Sequence, residues 1–241
     1  MTNRRAIVWG ASGGIGRAFV DALVASGEFG TIYAGSRSPA DEAEGIVRPF
    51  AFDLLDEASI AAGAQSIAAD GPIDLTVIAT GILHDGQIAR PEKSFAALTA
   101  DAMIAAYRIN AVGPALIAKH MIDALPRTRR SVVAALSARV GSIGDNRLGG
   151  WHSYRASKAA LNMVLRNLAI ELRRTRPHAI AIGLHPGTVD TRLSAPFQRN
   201  LTSGQLVSPT ESVRRLMAVI ARLDESSSGK VLAWDGSEIL P

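Results

Sequence analysis

The segment that decides the fold reads Ala6-Ile-Val-Trp-Gly-Ala-Ser-Gly-Gly-Ile-Gly16, a short apolar run followed by a turn rich in glycine. From Ile15 onward, apolar side chains recur at i, i+3, i+4, i+7 and i+8, which is the spacing of one helical face, and Gly27 follows that face. We therefore predict a strand, a tight turn and a helix, in that order. This succession is typical of the first unit of an α/β domain.

Short β-branched and apolar runs alternate with Ala-rich helical patterns along the rest of the chain. Most of the runs are continuously apolar, which indicates strands covered on both faces. We predict an α/β, Rossmann-type fold: a doubly wound parallel sheet of about seven strands with helices on both faces. No low-complexity linker divides the chain, so we expect a single domain over residues 1–241. The predicted strands lie at residues 6–9, 31–34, 47–52, 73–79, 131–136, 179–184 and 231–233.

The composition excludes several kinds of chemistry. The 241 residues contain no cysteine, which rules out disulfides, thiolate metal ligands and a thiol nucleophile. The five histidines lack metal-ligand spacing, so we expect no metal site. The net charge is +4, but the basic residues are scattered, and we expect neither a nucleic acid nor a membrane partner. No apolar run is long enough for a signal sequence or a membrane span, which favours a cytoplasmic protein.

The glycine-rich turn has the spacing Gly10-x-x-x-Gly14-x-Gly16. In an open parallel sheet, ligands bind beyond the carboxyl ends of the strands, where this turn lies. Glycines let the backbone approach a pyrophosphate, and the positive N-terminus of the next helix stabilises its charge. The turn therefore predicts dinucleotide binding rather than a mere tight connection. The residues predicted to take part are Gly10, Ser12, Gly13, Gly14, Ile15 and Gly16.

The residues after the second and third strands bear on the adenosine end of such a ligand. Ser36 and Arg37 offer a hydroxyl and a guanidinium, which suit a 2′-phosphate, whereas an acidic residue there would suit a free ribose hydroxyl. We therefore predict NADP(H), with NAD(H) as the less favoured cofactor. Arg37 as an ordinary surface residue is the alternative. Asp53, next to Leu54, is placed to accept from the adenine amino group, although an aspartate at a strand end is also common in loops.

Tyr154 and Lys158 form the most informative polar pair. Their i, i+4 spacing puts a phenol and an ammonium on one helical face. A neighbouring cation favours the phenolate, so we expect a lowered pKa for Tyr154, toward the range where it exchanges a proton with a substrate.

Together these motifs resemble the short-chain dehydrogenase/reductase family over essentially the whole chain. The glycine turn, Asp53, Asn110, the Tyr154-x-x-x-Lys158 pair and a Pro-Gly-Thr-Val-x-Thr stretch ending at Thr191 follow the order typical of that family. More narrowly, residues 137–143, 154–162 and 234–238 are similar to the bacterial C-factor-like branch and to sniffer-type carbonyl reductases.

The resemblance implies an NADP-dependent reductase of a carbonyl or alcohol substrate. Tyr154 would be the general acid, Lys158 would lower its pKa and bind the nicotinamide ribose, and Asn110 would hold a relay water at a helix kink. It also implies a homodimer or homotetramer formed through the helices that carry Asn110 and Tyr154. Further cofactor contacts implied by the family pattern are Ala79, Thr80, Gly81, Pro186, Gly187, Val189 and Thr191.

The chain departs from the family pattern at the catalytic serine, because Ala138 occupies that position. Ser137 or Ser142 could supply the hydroxyl, and we assign the role to Ser137 with Ser142 left open. The departure supports an alternative function, a weakly catalytic or non-catalytic dinucleotide-binding signalling protein. Trp151 and His152 are expected to line a substrate pocket, and residues 193–207 to form a lid over it.

Overall fold

A computed structural model describes residues 3–40, 42–84, 90–200 and 204–241. Its nine strands are β1 Arg5–Trp9, β2 Thr31–Ser36, β3 Val47–Ala51, β4 Leu75–Ile78, β5 Ser131–Leu136, β6 Ala179–His185, β7 Thr188–Val189, β8 Leu206–Val207 and β9 Val231–Ala233. Its α-helices are α1 Gly14–Ser26, α2 Glu57–Ala69, α3 Ala100–Tyr107, α4 Gly113–Met121, α5 His152–Thr175 and α6 Pro209–Arg222.

Seven of the strands form one parallel sheet in the order β3-β2-β1-β4-β5-β6-β9. The order reverses at β1 and β4, and this reversal creates a crevice at the carboxyl edge of the sheet. The predicted Rossmann-type fold, with about seven parallel strands, is therefore confirmed. The predicted strand at residues 47–52 is present as β3, at one edge.

Two hydrophobic cores lie on opposite faces of this sheet because successive side chains of a strand alternate between faces. In β5, Val133 and Ala135 pack toward α2, α4 and α5, while Val132 and Ala134 pack toward α1 and α6. Helices on both faces were predicted, and the two cores confirm them. The arrangement leaves the carboxyl edge of the sheet as the place where loops from both layers meet.

The connection from β2 to β3 differs from the predicted alternation of strands and helices. Residues 37–46 contain turns and bends but no helix among those described. A parallel crossover usually needs a dozen or more residues and a helix, and this connection is shorter. A cavity of about 660 Å³ lies between α1, β2, β3 and this connection, lined by Val20, Val24, Ala34 and Val47 among others.

Between α3 and α4 the chain forms a π-helical turn, Arg108–Val112. Pro114 lacks the N–H that would bond to the carbonyl of Asn110, four residues earlier. The irregularity expected near Asn110 is therefore present, and it turns that side chain into the protein interior. In the described part of the chain, no helix is both long and apolar enough to cross a membrane.

Candidate active site

The glycine turn folds closely on itself at the carboxyl end of β1. Gly10 has φ +92°, and the N–H groups of Gly10 and Ala11 both donate to the carbonyl of Gly35, at 2.9 and 2.8 Å. A side chain at Gly16 would overlap the carbonyl oxygen of Gly10. The turn therefore needs glycine at both positions, for a positive φ and for close backbone packing.

The N-terminus of α1 is open toward the crevice. Its N-cap is Gly13, no side chain caps it within the described residues, and its first turn holds no acidic residue. Ser12, Gly13 and Gly14 are exposed, and a Cβ at Gly14 would lie 2.9 Å from the methyl group of Thr191. Free N–H groups beside a narrow glycine-lined surface fit a pyrophosphate. The turn fits the phosphates of a dinucleotide for this reason.

At the adenosine end, Ser36 is buried and Arg37 is exposed. Asp53 takes part in a local turn, because its Oδ1 accepts from the N–H of Leu55 at 2.9 Å and its own N–H donates to Ser59. Leu54 covers Gly113, where an added Cβ would lie 2.6 Å from its side chain. The structure thus brings Ser36, Arg37 and Asp53 to the carboxyl ends of neighbouring strands.

The segment after β4 lies between the glycine turn and the polar groups of the predicted catalytic site. The N–H of Ala79 donates to the carbonyl of Trp9 at 2.8 Å, and the methyl group of Thr80 lies against Gly10. The Thr80 hydroxyl is buried and has no hydrogen-bond partner in the described structure. A Cβ at Gly81 would lie 3.4 Å from Oδ1 of Asn110 and 3.6 Å from Nζ of Lys158.

Asn110 is fully buried and braces the loop after β4. Its Oδ1 accepts from the N–H of Ile82 at 2.8 Å, and its Nδ2 donates to the carbonyl of Ile82 at 2.8 Å. Nδ2 also donates to Ser157 Oγ at 3.0 Å, and that hydroxyl donates to the carbonyl of Tyr154 at 2.8 Å. Asn110 therefore links the loop after β4 to the first turns of α5.

Lys158, on α5, is buried, with 3% of its surface exposed. Its ammonium donates to the carbonyl of Leu136, at the end of β5, at 2.8 Å. Burial lowers the pKa of Lys158 to about 8, so the side chain remains mainly charged at neutral pH. The Nζ atom lies 5.8 Å from the centre of the Tyr154 ring.

Burial raises the pKa of Tyr154 above its ordinary value in this structure. The predicted lowering by Lys158 is therefore wrong for the structure. The physical reason is that desolvation of the phenol disfavours the phenolate more than an ammonium 5.8 Å from the ring centre favours it.

The two candidate serines are both buried and both engaged. The hydroxyl of Ser137 donates to Oδ1 of Asn162 at 2.6 Å, and Asn162 lies two helical turns beyond Tyr154 on α5. Ser142 Oγ accepts from the N–H of Asp145 at 3.0 Å. Neither hydroxyl has a contact that brings it to the phenol of Tyr154, and Ala138 occupies the family position between them.

The predicted nicotinamide turn follows β6. Gly187 has φ +79°, and the Trp234 ring packs on it, 3.1 Å from where a Cβ would lie. Ser212 on α6 donates to the carbonyl of Pro186 at 2.8 Å. Val189 is buried in the short β7–β8 pair, and Thr191 follows it beside Gly14. The turn is therefore held from two sides, next to the phosphate end of the crevice.

Aromatic residues surround the start of α5, where a substrate pocket was predicted. The rings of Trp151 and Tyr154 lie 6.3 Å apart in an edge-on arrangement, and the His152 ring contacts Phe95 at 4.3 Å with a tilt of 45°. The predicted lid contains a 3₁₀-helix, Ala195–Asn200, and β8, while its residues 201–203 lie outside the described residues. His84, after β4, contacts the carbonyl of Arg192 at 3.1 Å, which joins the two sides of the crevice.

Two residues that contact the candidate site, Ser157 and Glu92, are not predicted from the sequence. Ser157 lies between Tyr154 and Lys158 in the motif, and its i+3 spacing from the tyrosine was an available signal. Glu92 gave no signal, because its contact with Ser153 joins residues 61 positions apart. Among the residues that the structure describes, no group of three or more His, Asp or Glu side chains could hold a metal ion.

Comparison with known proteins identifies the family. The family model described as "short chain dehydrogenase" matches residues 4–202, so the chain belongs to this family and the inferred resemblance is confirmed. The C-signal protein of Myxococcus xanthus is 35% identical over 138 residues, which cover 57% of this chain and 77% of that protein. This similarity agrees with the predicted C-factor-like branch.

Two solved structures show the same fold. The NADPH-bound carbonyl reductase from chicken fatty liver has a TM-score of 0.84 and 25% identity, covering 100% of this chain and 95% of its own. The carbonyl reductase Sniffer of D. melanogaster also has a TM-score of 0.84, at 21% identity, covering 100% of both chains. The chain is therefore an oxidoreductase of the short-chain dehydrogenase family with carbonyl reductase-like architecture.

Proposed function

We propose that this protein is an NADP(H)-dependent reductase that transfers a hydride between the nicotinamide and a carbonyl or alcohol substrate. The proposal rests on the arrangement around Gly81. Asn110 and Lys158 lie beside Gly81, and the preceding residue, Thr80, contacts Gly10 of the open glycine turn. These groups converge at the carboxyl edge of the sheet, beside Tyr154. A general acid, a buried cation and a phosphate-binding turn in one crevice suit hydride transfer to a carbonyl.

In the reductive direction, Tyr154 donates its phenolic proton to the carbonyl oxygen of the substrate. When bound, NADPH would supply the hydride that adds to the carbonyl carbon of the substrate. Lys158, held by the carbonyl of Leu136, provides a positive charge that stabilises the phenolate left behind. Asn110 fixes the loop that carries Gly81, and through Ser157 it also fixes the Tyr154 backbone.

The glycine turn and Thr191 would hold the pyrophosphate, and Ser36 with Arg37 would hold a 2′-phosphate. Asp53 and Leu54 would border the adenine, residues 79–81 would border the ribose on the nicotinamide side, and residues 186–189 would cover the nicotinamide. The chicken carbonyl reductase, 25% identical, was solved with NADPH, which supports the same cofactor here. We assign the whole of residues 1–241 to one such unit and expect it in the cytoplasm.

The substrate end is apolar and aromatic. Trp151 lies edge-on to Tyr154, and Ile143 and Leu148 are 77% and 90% exposed in the loop before α5. These side chains favour a carbonyl compound with an apolar or aromatic body. Ser137 remains our candidate for the hydroxyl that orients the carbonyl. Its hydroxyl hydrogen would have to leave Asn162, whereas Ser142 accepts from the N–H of Asp145 and could keep that bond while donating to a substrate.

We also propose a homodimer or homotetramer. Ile104 on α3 is 57% exposed, and Met163 and Ile170 on α5 are 61% and 41% exposed. Helices α3 and α5 pack against each other, so both expose apolar side chains on one layer of the molecule. A second copy of this chain would cover these side chains, as is common in symmetric oligomers.

A specific observation favours a second candidate function. Ala138 replaces the family serine, and the C-signal protein is similar to this chain. A binding protein that signals through its dinucleotide state would need neither the hydroxyl nor turnover. The intact arrangement of Asn110, Tyr154 and Lys158 has no role in such a protein, and for this reason we favour the reductase.

Replacement of Tyr154 by Phe tests the proposal. We expect Tyr154→Phe to lower NADPH-dependent reduction of a panel of aldehydes, ketones and quinones by about a hundredfold or more, because the acid is lost. The dissociation constant for NADPH should stay within about twofold, since the phosphate site is untouched. Tyr107→Phe, at the end of α3, is the matched control. Equal activity in Tyr154→Phe would contradict the assignment, and an inactive wild type that binds NADPH would support the signalling alternative.

A further inference from the structure

Glu92 is a buried acid in the connection between β4 and α3, with 4% of its surface exposed. Its carboxylate reaches the first turn of α5, where the N–H of Ser153 donates to Oε2 at 3.2 Å and the Ser153 hydroxyl donates to Oε1. Its carbonyl oxygen accepts from the N–H of Trp151 at 2.5 Å. Glu92 thus caps, from a distant part of the chain, the helix that carries Tyr154.

The start of α5 depends on such a cap. Gly149, Gly150 and Trp151 all have left-handed backbones, with φ of +62°, +66° and +51°. Trp151 is the one non-glycine residue with positive φ in the described chain, a conformation that costs about 1–3 kcal/mol. It occupies the N-cap position, but its side chain accepts no helix N–H. Glu92 provides the acceptor that this position lacks.

Glu92 and Tyr154 also border the same small cavity. This cavity of about 10 Å³, with room for about one water molecule, is lined by both residues and by Ser153. Ile82, which Asn110 braces, forms part of the opposite wall. A charge in such a position acts on its neighbours with little screening by water.

The charged or titratable groups around Tyr154 come from two elements. Lys158 and His152 lie on its own helix, and Lys158 is the cation nearest the ring, with Nζ at 5.8 Å from the ring centre. Glu92 and Arg90 face it from the connection between β4 and α3, across the small cavity. The carboxylate therefore opposes Lys158, Arg90 and the positive end of the helix dipole, all of which favour a phenolate.

We propose that Glu92 is a positioning residue that fixes the first turn of α5 and thereby sets the place and the proton affinity of the Tyr154 hydroxyl. This inference rests on the proposed role of Tyr154 as the acid. A buried carboxylate across this small cavity makes ionisation of the phenol less favourable. Glu92 thus keeps Tyr154 protonated, as carbonyl reduction requires, to higher pH than Lys158 alone would allow.

The test is Glu92→Gln, which keeps the shape and removes the charge. In carbonyl reduction, we expect the high-pH limb of kcat/KM to move down by about one pH unit or more, while the dissociation constant for NADPH is unchanged. Asp56→Asn is the matched control, because Asp56 is a carboxylate that caps α2 through the N–H of Ala58 at 2.9 Å. Asp56→Asn should lower Tm but leave the high-pH limb of kcat/KM unchanged. Glu92→Gln would give the same result if Glu92 had only a structural role.

A second readout is independent of activity. The chain has three tyrosines, so 3-fluorotyrosine labelling gives three ¹⁹F resonances, and Tyr154→Phe identifies the one from Tyr154. Its titration midpoint should fall in Glu92→Gln and stay or rise in Ser153→Ala, which keeps the carboxylate. An inactive wild type would contradict the reductase function, whereas an unchanged midpoint in folded Glu92→Gln would overturn the role of Glu92. If the glutamine variant does not fold, Glu92→Asp should lower the midpoint by less, and an unchanged or higher midpoint would overturn the proposal.

Discussion

At the scale of single residues, the buried ammonium of Lys158, which the proposed reaction needs, lowers the free energy of unfolding. Its ammonium is 3% exposed and bonds to the carbonyl of Leu136, and its pKa of about 8 lies below its value of 10.5 in an unfolded chain. The unfolded state therefore binds more protons between about pH 8 and pH 10.5. Stability rises with pH in that window, and below it the buried charge costs of order 3 kcal/mol.

We expect Lys158→Met to be more stable than the wild type at pH 7 and nearly equal to it at pH 10. The difference in the free energy of unfolding, measured by urea denaturation across this range, should shrink as pH rises toward 10. Above pH 10 the raised pKa of Tyr154 acts the other way, because the unfolded tyrosine ionises first and stability falls. A pH-independent difference between the two proteins would contradict this account. Lys230→Met, on a partly exposed lysine, controls for the loss of a charge.

At the scale of elements, the predictable and the unpredictable parts of the site have separate physical causes. The strands could be predicted because strands buried on both faces, such as β4 and β5, are continuously apolar. Because ligands bind beyond the carboxyl ends of such strands, Tyr154 and Lys158 could be predicted to lie near those ends. The partners of those residues could not be predicted, because Lys158 bonds to a backbone carbonyl that every residue possesses. Glu92 meets α5 only through the tertiary fold, and no local pattern encodes such a contact.

The connection between β2 and β3 is the element that decides cofactor selectivity in our proposal. It has no helix among its described residues, and Arg37 stands exposed at its start, beside the buried Ser36. A charge-assisted hydrogen bond contributes about 1.5–3 kcal/mol, or roughly 10- to 100-fold in affinity. We expect Arg37→Asp to lose this preference for NADPH over NADH and to reverse it, since an acid repels the 2′-phosphate.

Dissociation constants for both cofactors, from fluorescence titration, measure the change in selectivity. Arg127→Asp is the control, because it makes the same change of charge in the exposed segment before β5. That segment lies at the amino ends of the strands, away from the candidate site. The control should leave the ratio of the two constants unchanged. If the ratio is equally unchanged in Arg37→Asp, Arg37 is an ordinary surface residue, and another group selects the cofactor.

At the scale of the whole molecule, the candidate site lies at the carboxyl edge of the sheet, while exposed apolar side chains lie on α3 and α5. Met163 and Ile170 are seven residues apart on α5, so they share one face of the helix, and they are 61% and 41% exposed. Ile104, on the helix α3 that packs against α5, is 57% exposed. A two-fold contact would place α5 against its counterpart, and a stable interface buries about 800 Å² on each copy. It would also support the long helix whose first turn carries Tyr154.

We therefore expect Met163→Arg to convert the oligomer into a smaller species, because two opposed guanidinium groups would be buried at the two-fold contact. Sedimentation velocity or light scattering after gel filtration gives the mass directly. Val24→Arg is the matched control, since Val24 is similarly exposed, at 44%, but lies on α1, on the other side of the sheet. A monomeric wild type, or a Met163→Arg variant with the wild-type mass, would contradict an interface on α5.

Because α5 carries the acid and the buried lysine, dissociation should also lower Tm and kcat together, while Arg37 and the glycine turn should still bind NADPH.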